Sequence, residues 1–283
     1  MKPYPTEKIR NVALVGHGGA GKTTLAESLL HLCGAVNRRG RVEDGTATTD
    51  FEPEEVKRRI SITSALAACE YRDHKLNIID APGYADFFGE VETALSIADL
   101  AVFVVSAVDG VEVGTETAWR LAARLGLPRM IFVNKLDRER ADFDATLEAL
   151  RTTFGAGIAP LQLPIGKEAS FSGVIDLLSD EAVTYTGSAA TRGPVPTEIA
   201  DMEHQVHDNL VEGIVVADDE LMERYLEGDT PSFEELEHTL GIGVAAGTVF
   251  PVLAGSAARD IGVDLLAQLI CEIGPSPDQR PEV

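Results

Sequence analysis

The chain has 283 residues, of which 45% are hydrophobic and 25% charged, and its formal net charge is −22. These values are ordinary for a folded globular protein, but the excess of negative charge excludes a protein that binds DNA on its own by releasing counterions. The first residues lack the apolar core of a secretory signal, and the most apolar run, residues 100–108, is about half the length of a membrane span. We therefore expect a cytoplasmic protein that makes no contact with a membrane.

The three cysteines are far apart, and none belongs to a Cys-x-x-Cys pair. They are Cys33, Cys69 and Cys271. An odd number of dispersed cysteines is typical of reduced thiols in a reducing compartment. We predict neither a disulfide nor a cysteine-bound metal.

Strand-like and helix-like segments alternate through the first 155 residues or so. Runs rich in Val, Ile and Leu predict strands at 11–16, 64–71, 75–80, 100–107 and 129–134. Helical periodicity predicts helices at 22–33, 85–98, 112–126 and 141–153. Strands alternating with helices indicate a parallel sheet covered on both faces, whereas the polar stretch 34–62 is a long connection of the kind that is often functional.

The pattern changes between about residues 157 and 247 and then resumes. Short strand-like runs and acidic helices fill this middle region, which contains 17 Asp and Glu but two Arg between residues 176 and 240. A strand at 248–256 and a helix at 261–274 complete the earlier alternation. We predict an α/β P-loop fold with a six-stranded, mostly parallel sheet and an inserted acidic α+β subdomain. The predicted parts are 1–156 (first part of the main domain), 157–247 (insert), 248–274 (last strand and helix) and 275–283 (linker).

A phosphate-binding motif, GHGGAGKTT, follows the first predicted strand and opens the first helix. Its glycines let backbone N–H groups approach phosphate oxygens, and the helix dipole favours an anion there. Lys22 would reach the β and γ phosphates, and the Thr23 hydroxyl would bind Mg²⁺. The predicted nucleotide contacts from this motif are Gly16, His17, Gly18, Gly19, Ala20, Gly21, Lys22, Thr23 and Thr24.

Two further motifs indicate which base is bound. In NKLD, at the end of the fifth strand, Asp137 can accept both N1–H and the exocyclic amine of guanine, which adenine cannot offer. Asn134 would orient the loop, and the stem of Lys135 would lie along the base. The backbone of Gly255, Ser256 and Ala257, after the last strand, would contact the guanine oxygen.

The segment DAPGY, after the third strand, predicts a switch that senses the γ phosphate. Asp80 would hold Mg²⁺, and the N–H of Gly83 would approach the γ phosphate. Tyr84 follows directly, where a group that positions water is expected.

With these residues together, the chain resembles the elongation factor G family of translational GTPases over nearly all its length. Matching segments include RRISITSA, LPRMIFVNKLDR and LPIGKEASFSGVIDLL. The resemblance implies a GTPase that binds GTP, GDP and Mg²⁺ and acts on the ribosome, with domains beyond residue 283. It also implies that Ser61 is a Mg²⁺ ligand and that the insert contacts the ribosomal stalk protein, although the acidic insert could equally be a solubilising surface.

Four positions depart from the family pattern. Ser61 replaces a threonine, Arg59 a glycine, and Gly19 an aspartate of the phosphate loop. The largest departure is Tyr84, which replaces the histidine that positions the attacking water and thereby resembles a divergent paralogue branch.

Tyr84 has three interpretations. The chain could be a slow GTPase, with Lys22, Gly83 and Tyr84 at the reacting end of GTP. It could instead be a ribosome-binding module with negligible turnover, or Tyr84 could only pack beside Phe87 and Phe88. NKLD and the absence of a substrate lid argue against a metabolic P-loop kinase.

His17 and the pair His204 and His207 are interpreted as structural residues rather than as catalytic or metal-binding ones. His17 lies inside the phosphate loop, where packing within the loop is favoured over a role as a base. His204 and His207, three residues apart on a predicted helix, could bind a metal with Glu203 or Asp208. A solvated acidic helix is the favoured interpretation of that segment.

Overall fold

The computed structural model describes residues 2–197 and 199–279, without the side chains of residues 200, 201, 202 and 205. Its strands, in chain order, are β1 (Ile9–Val15), β2 (Ala65–Tyr71), β3 (His74–Asp80), β4 (Leu100–Ser106), β5 (Arg129–Asn134), β6 (Ile158–Pro160), β7 (Gln162–Ile165), β8 (Gly173–Asp176), β9 (Glu181–Thr186), β10 (Ala189–Pro194) and β11 (Phe250–Ala254). The helices are α1 (Lys22–Leu32), α2 (Pro53–Arg58), α3 (Phe88–Ile97), α4 (Val113–Arg124), α5 (Phe143–Phe154), α6 (Ala200–Val215), α7 (Asp219–Leu226), α8 (Phe233–Ala246) and α9 (Val263–Ile273).

The first sheet has the order β2-β3-β1-β4-β5-β11-β6 within the described part of the chain. Only the β2–β3 pair is antiparallel, so the mostly parallel α/β sheet predicted from the sequence is confirmed. All residues of the central strand β4 are buried, which is typical of a strand covered by helices on both faces.

The sheet has one strand more than predicted. β6 pairs in parallel with β11, with Ile158 opposite Phe250. Its three residues end in Pro160 and are too short to give a periodic signal, which is why the sequence did not reveal the strand. The first sheet therefore extends into the range that was assigned to the insert.

An aromatic cluster packs α4 and α5 onto the sheet. The Trp119 ring stacks on Phe154 with centroids 4.2 Å apart and meets Phe103 at 4.8 Å and Phe250 at 4.9 Å. The Arg129 guanidinium lies over the Phe250 ring, 4.3 Å from its centroid. On the opposite face of the sheet, α1 contacts α9.

The middle region contains an antiparallel sheet with the order β10-β9-β8-β7, together with α6, α7 and α8. The sequence predicts short strands within 160–166 and 171–178, which the structure shows as β7 and β8. It predicts acidic helices at 198–216 and 220–228, which correspond to α6 and α7. The sequence reading did not identify the hairpin β9–β10 or α8. Helix α8 contacts α9 and β11 and so connects the insert to the main domain.

Among the described residues, the three cysteines are free thiols, as predicted. The same residues contain no helix that is long and apolar enough to cross a membrane. The described part of the proposed linker, residues 275–279, includes a short 3₁₀ helix, Pro277–Gln279, and residues 280–283 lie outside the described part of the chain.

Candidate functional site

The loop between β1 and α1, residues 16–21, passes close to the ends of two other strands. Gly16 has φ 140°, and a Cβ there would collide with the carbonyl oxygen of Val104 on β4. Gly21 has φ 99°, and a Cβ there would collide with the amide of Asn134. Both positions therefore need glycine. Helix α1 begins directly after the loop, so its dipole favours an anion beside these residues.

Lys22 holds a buried ammonium group against this loop. Its Nζ donates to the carbonyl oxygens of Gly16 at 3.0 Å and His17 at 2.9 Å. Burial lowers its pKa to about 8, against the opposing attraction of nearby carboxylates. A Cβ on Gly83 would collide with Nζ, which shows how closely the switch segment lies against Lys22. The predicted phosphate contacts Lys22 and Gly83 are therefore adjacent.

The three predicted Mg²⁺ ligands come together beside α1. Thr23 Oγ1 and Ser61 Oγ are 3.1 Å apart. Asp80, at the end of β3, accepts a hydrogen bond from Thr49 Oγ1 at 2.7 Å on one oxygen, while its other oxygen is buried without a partner within normal geometry. Burial raises the pKa of Asp80 to about 6, despite the nearby Lys22.

Asp50 is a member of this site that sequence reasoning missed. It is 5% exposed, and neither of its carboxylate oxygens accepts a hydrogen bond within normal geometry. Burial raises its pKa. Buried carboxylate oxygens without protein donors, beside two hydroxyls, form the hard oxygen set that Mg²⁺ prefers. These residues fit a magnesium ion. Only the position of Asp50 in the polar stretch 34–62 could have suggested it, and burial within such a stretch has no sequence signature.

The polar stretch 34–62 is held against the site by hydrogen bonds to the buried Glu27 and to the loop after β11. Glu27, on α1, accepts from the backbone N–H groups of Gly40, at 2.6 Å, and Thr48. Arg39 donates to the carbonyl oxygen of Ala257 at 2.9 Å and to Asp260 at 2.6 Å. The connection that interrupts the α/β alternation is thus tied to both α1 and the loop after β11.

Besides the phosphate cavity, which Gly18, Lys22 and Thr23 help to line, there is a second cavity of about 570 Å³. Of the predicted base-binding residues, Asn134, Lys135 and Asp137 line it, whereas Gly255, Ser256 and Ala257 do not. Asn134 donates to the carbonyl oxygen of Ala20 at 2.9 Å and accepts from the N–H of Ala257 at 2.9 Å. It therefore ties the phosphate loop to the loop after β11. Asp137 accepts from the Ser256 hydroxyl at 2.6 Å, which fixes one of its carboxylate oxygens.

The remaining predicted contacts lie around these two cavities. Gly19 and Thr24 line both cavities. Gly18 lines only the phosphate cavity, and Lys135 lines only the second cavity of about 570 Å³. At Gly255 a Cβ would lie 2.5 Å from the carbonyl oxygen of Ile261, so this position also needs glycine.

The His17 side chain is directed out of the phosphate loop, toward the start of α4. Its Nε2 lies 3.3 Å from a carboxylate oxygen of Glu112, just before α4. A Cβ on Gly114 would lie 2.8 Å from Nδ1 of His17, so the ring lies against the start of α4. The contribution of His17 to the phosphate cavity is its carbonyl oxygen, which holds Lys22.

The Tyr84 ring lies over the phosphate loop. A Cβ built on Gly18 would be 3.1–3.2 Å from three ring carbons. Tyr84 is 44% exposed and lines both the phosphate cavity and an adjoining apolar cavity of about 320 Å³, whose lining also includes Phe88 and Val113. The tyrosine therefore does more than pack beside Phe87 and Phe88, because its ring forms part of the phosphate cavity wall.

The two insert histidines lie far along the chain from these cavities and have separate partners. His204 is exposed and lies 3.3 Å from Glu203. His207 Nδ1 lies 2.8 Å from the carbonyl oxygen of Leu177. Polar atoms of Asp180, Glu203 and His207 lie within 4.8 Å of one another, and burial together with Asp180 raises the pKa of Glu203.

Comparisons with known proteins agree with this geometry. Residues 7–276 match the model of the elongation factor Tu GTP binding domain family. The chain is 40% identical over 285 aligned residues to elongation factor G 1 of Geobacter sulfurreducens, which covers 99% of the chain and 41% of that protein. A crystal structure of a protein from Thermus thermophilus superposes with a TM-score of 0.92 at 45% identity, and covers 97% of the chain and 41% of that protein.

The chain thus spans about two-fifths of the length of these two proteins. The family match covers almost all of the chain. It includes the residues that line both cavities as well as the insert. The chain therefore belongs to the elongation factor Tu GTP-binding domain family, and it is similar to the corresponding two-fifths of elongation factor G 1.

Proposed function

We propose that this domain binds GTP and Mg²⁺ and hydrolyses GTP to GDP and phosphate slowly, as part of a cytoplasmic factor that works on the ribosome. The observation that carries the proposal is the position of Tyr84, whose ring lines the phosphate cavity over Gly18. The predicted phosphate and Mg²⁺ residues Lys22, Thr23 and Ser61 line the same cavity, whereas the residue at the position of the family's histidine is a tyrosine.

The residues that line the two cavities support the proposed nucleotide binding. Lys22 and the phosphate loop would hold the β and γ phosphates, and Asp137 would accept the hydrogen-bond donors of guanine. Thr23, Ser61 and Asp80, with Asp50 beside them, would hold Mg²⁺, which neutralises phosphate charge when bound.

Tyr84 limits the rate because phosphoryl transfer depends on positioning and charge stabilisation. A phenol can orient a water molecule through one hydrogen bond, but it has no cationic form. A histidine can do both. Loss of one preorganised contact of this type lowers the rate by about 10²–10³.

The test is single-turnover GTP hydrolysis by the intact protein that contains this chain, with and without ribosomes. We expect the Tyr84→His variant to hydrolyse GTP about 10²-fold faster than the wild type on ribosomes. GTP and GDP affinities should stay within about twofold, because the predicted phosphate, Mg²⁺ and base contacts come from other residues. Tyr84→Phe is the matched control, since it keeps the ring over Gly18 and removes the hydroxyl.

Equal ribosome-stimulated rates for wild type and Tyr84→His would contradict the proposal. If the wild type shows no turnover at all while binding both GTP and ribosomes, the chain is instead a ribosome-binding module for which GTP is an assembly cofactor. The same Tyr84 geometry supports that second function.

For the insert, we propose docking on a basic face of the ribosomal stalk protein. The insert holds two arginines between residues 176 and 240, and both are engaged. Arg192 pairs with Glu181 at 2.8 Å, and Arg224 pairs with Asp229 and Glu235, each at 2.6 Å. The remaining exposed acidic groups present a negative surface, which would speed encounter with a basic partner.

A further inference from the structure

Arg59 has a backbone conformation that is unusual for arginine. It follows the last turn of α2 with φ 59° and ψ 40°, in the left-handed region that favours glycine. Its N–H donates to the carbonyl oxygen of Glu55 at 2.7 Å. The Glu55 carboxylate accepts from the N–H groups of Ile62 and Thr63 at 2.9 and 3.0 Å. The backbone is therefore held on both sides of Arg59.

This conformation places Arg59 in the wall of the phosphate cavity. That cavity, of about 220 Å³, is also lined by Lys22, Thr23, Ser61, Gly83 and Tyr84. Arg59 thus shares a cavity with the proposed Mg²⁺ ligands Thr23 and Ser61. The same cavity is lined by Gly83 and Tyr84 of the predicted γ-phosphate switch.

The guanidinium of Arg59 makes no hydrogen bond or ion pair with any residue that the structure describes. Its neighbour Arg58 differs, because Nε of Arg58 donates to Glu54 at 2.9 Å on the exposed side of α2. Lys57 also lies near Glu54, at 3.7 Å. Of the three consecutive cations, Arg59 alone both lines the cavity and lacks a carboxylate within 4.0 Å among the described residues.

We propose that Arg59 binds the γ phosphate of GTP from within the same chain. A guanidinium presents a planar set of donors that matches phosphate oxygens, and its charge is permanent. It would supply, from the polar stretch 34–62, the positive charge that Tyr84 cannot supply from the segment DAPGY. This inference rests on the proposed GTP-binding function.

The contact distinguishes GTP from GDP, because only GTP carries the γ phosphate. The test is therefore the affinity of the intact protein for the slowly hydrolysed analogue GTPγS and for GDP, measured with Mg²⁺ by titration calorimetry. We expect Arg59→Gly to weaken GTPγS binding about tenfold or more, as for loss of a hydrogen bond to a charged group, while GDP affinity changes by less than about twofold.

Three further variants separate charge from backbone effects. Arg59→Asn removes the charge and tolerates the left-handed conformation, so it should match Arg59→Gly. Arg59→Lys should retain part of the GTPγS preference as a point charge. Lys57→Ala removes one positive charge from the same helix outside the cavity and should leave both affinities unchanged.

Equal losses for GTPγS and GDP, or no loss for either, in Arg59→Gly and Arg59→Asn would overturn the proposal. A loss in Lys57→Ala equal to that in Arg59→Gly would also overturn it, because net charge alone would then explain the effect. Failure of the wild type to bind either nucleotide would instead refute the proposed function, so the two failures are distinguishable.

Discussion

Gly18 and Tyr84 form a complementary pair across the phosphate cavity. The ring of Tyr84 occupies the space into which a side chain at position 18 would project, with ring carbons 3.1–3.2 Å from a Cβ built on Gly18. In the sequence, Gly18 belongs to the phosphate-binding motif, whereas Tyr84 is a departure from the family pattern with no evident link to Gly18. The structure indicates that the two residues depend on each other.

This dependence predicts a strong coupling in a double-mutant cycle. Gly18→Val should destabilise the wild type by about 1–3 kcal/mol through overpacking against the ring. In a Tyr84→Ala background the same substitution should cost much less, because the ring is absent. The free energies of unfolding from denaturant titration give the coupling directly. Additive effects of the two substitutions would contradict this packing.

At the scale of elements, the polar stretch 34–62 shows how a connection without regular pattern becomes ordered. Its one helix, α2, has only six residues and begins with a capping box between Glu52 and Glu55. The side chain of Glu55 then reaches forward to the N–H groups of Ile62 and Thr63. One buried carboxylate thus holds both ends of the segment that carries Arg59 and Ser61.

The ionisation of Glu55 should control the order of this segment. Burial alone would raise its pKa, but the hydrogen bonds from Thr63, Ile62 and Glu52 outweigh burial and lower the pKa below 4.5. Because the folded-state pKa is depressed, the stabilisation is present above pH 4.5 and is lost as pH falls through the folded-state value.

Glu55→Gln should therefore mimic acid at neutral pH. We expect the amide hydrogens of Ile62 and Thr63 to exchange about tenfold faster, equivalent to about 1.4 kcal/mol. Hydrogen exchange read by mass spectrometry is the measurement. The control is Glu54→Gln on the exposed side of α2, and exchange that is equally fast in both variants would show that Glu55 has no special role.

The same elements show what the sequence could and could not predict. Strands such as β4 were predictable because buried parallel strands are continuous apolar runs. The three-residue strand β6 was not, since its place depends on pairing with β11 from a distant part of the chain. The phosphate and base motifs could be recognised because each is a short local pattern in the sequence. The burial of Asp50 and the contact between Tyr84 and Gly18 could not, because they depend on tertiary packing.

Across the whole molecule, negative charge is concentrated in the insert, and none of residues 176–240 lines the phosphate cavity or the second cavity. Residues 176–240 contain 17 acidic residues and two arginines, so this stretch accounts for −15 of the total charge of −22. Both arginines form ion pairs inside the insert. This distribution favours fast docking of the insert on a basic partner, whereas evenly spread charge would serve solubility alone.

Exposed acidic residues of helix α7 and the turn after it allow a test of whether the charge of the insert serves docking or solubility. We expect a triple variant that neutralises exposed acids there to associate several-fold more slowly with purified stalk protein at low salt, with the difference lost at high salt, because steering charges act mainly on the association rate. The substitutions are Glu220→Gln, Glu223→Gln and Glu227→Gln. A control variant with the same charge change elsewhere carries Glu7→Gln, Asp144→Asn and Glu148→Gln. Stopped-flow association rates across a salt series decide the outcome: equal slowing in both variants means that only net charge matters and that the insert is a solubilising surface.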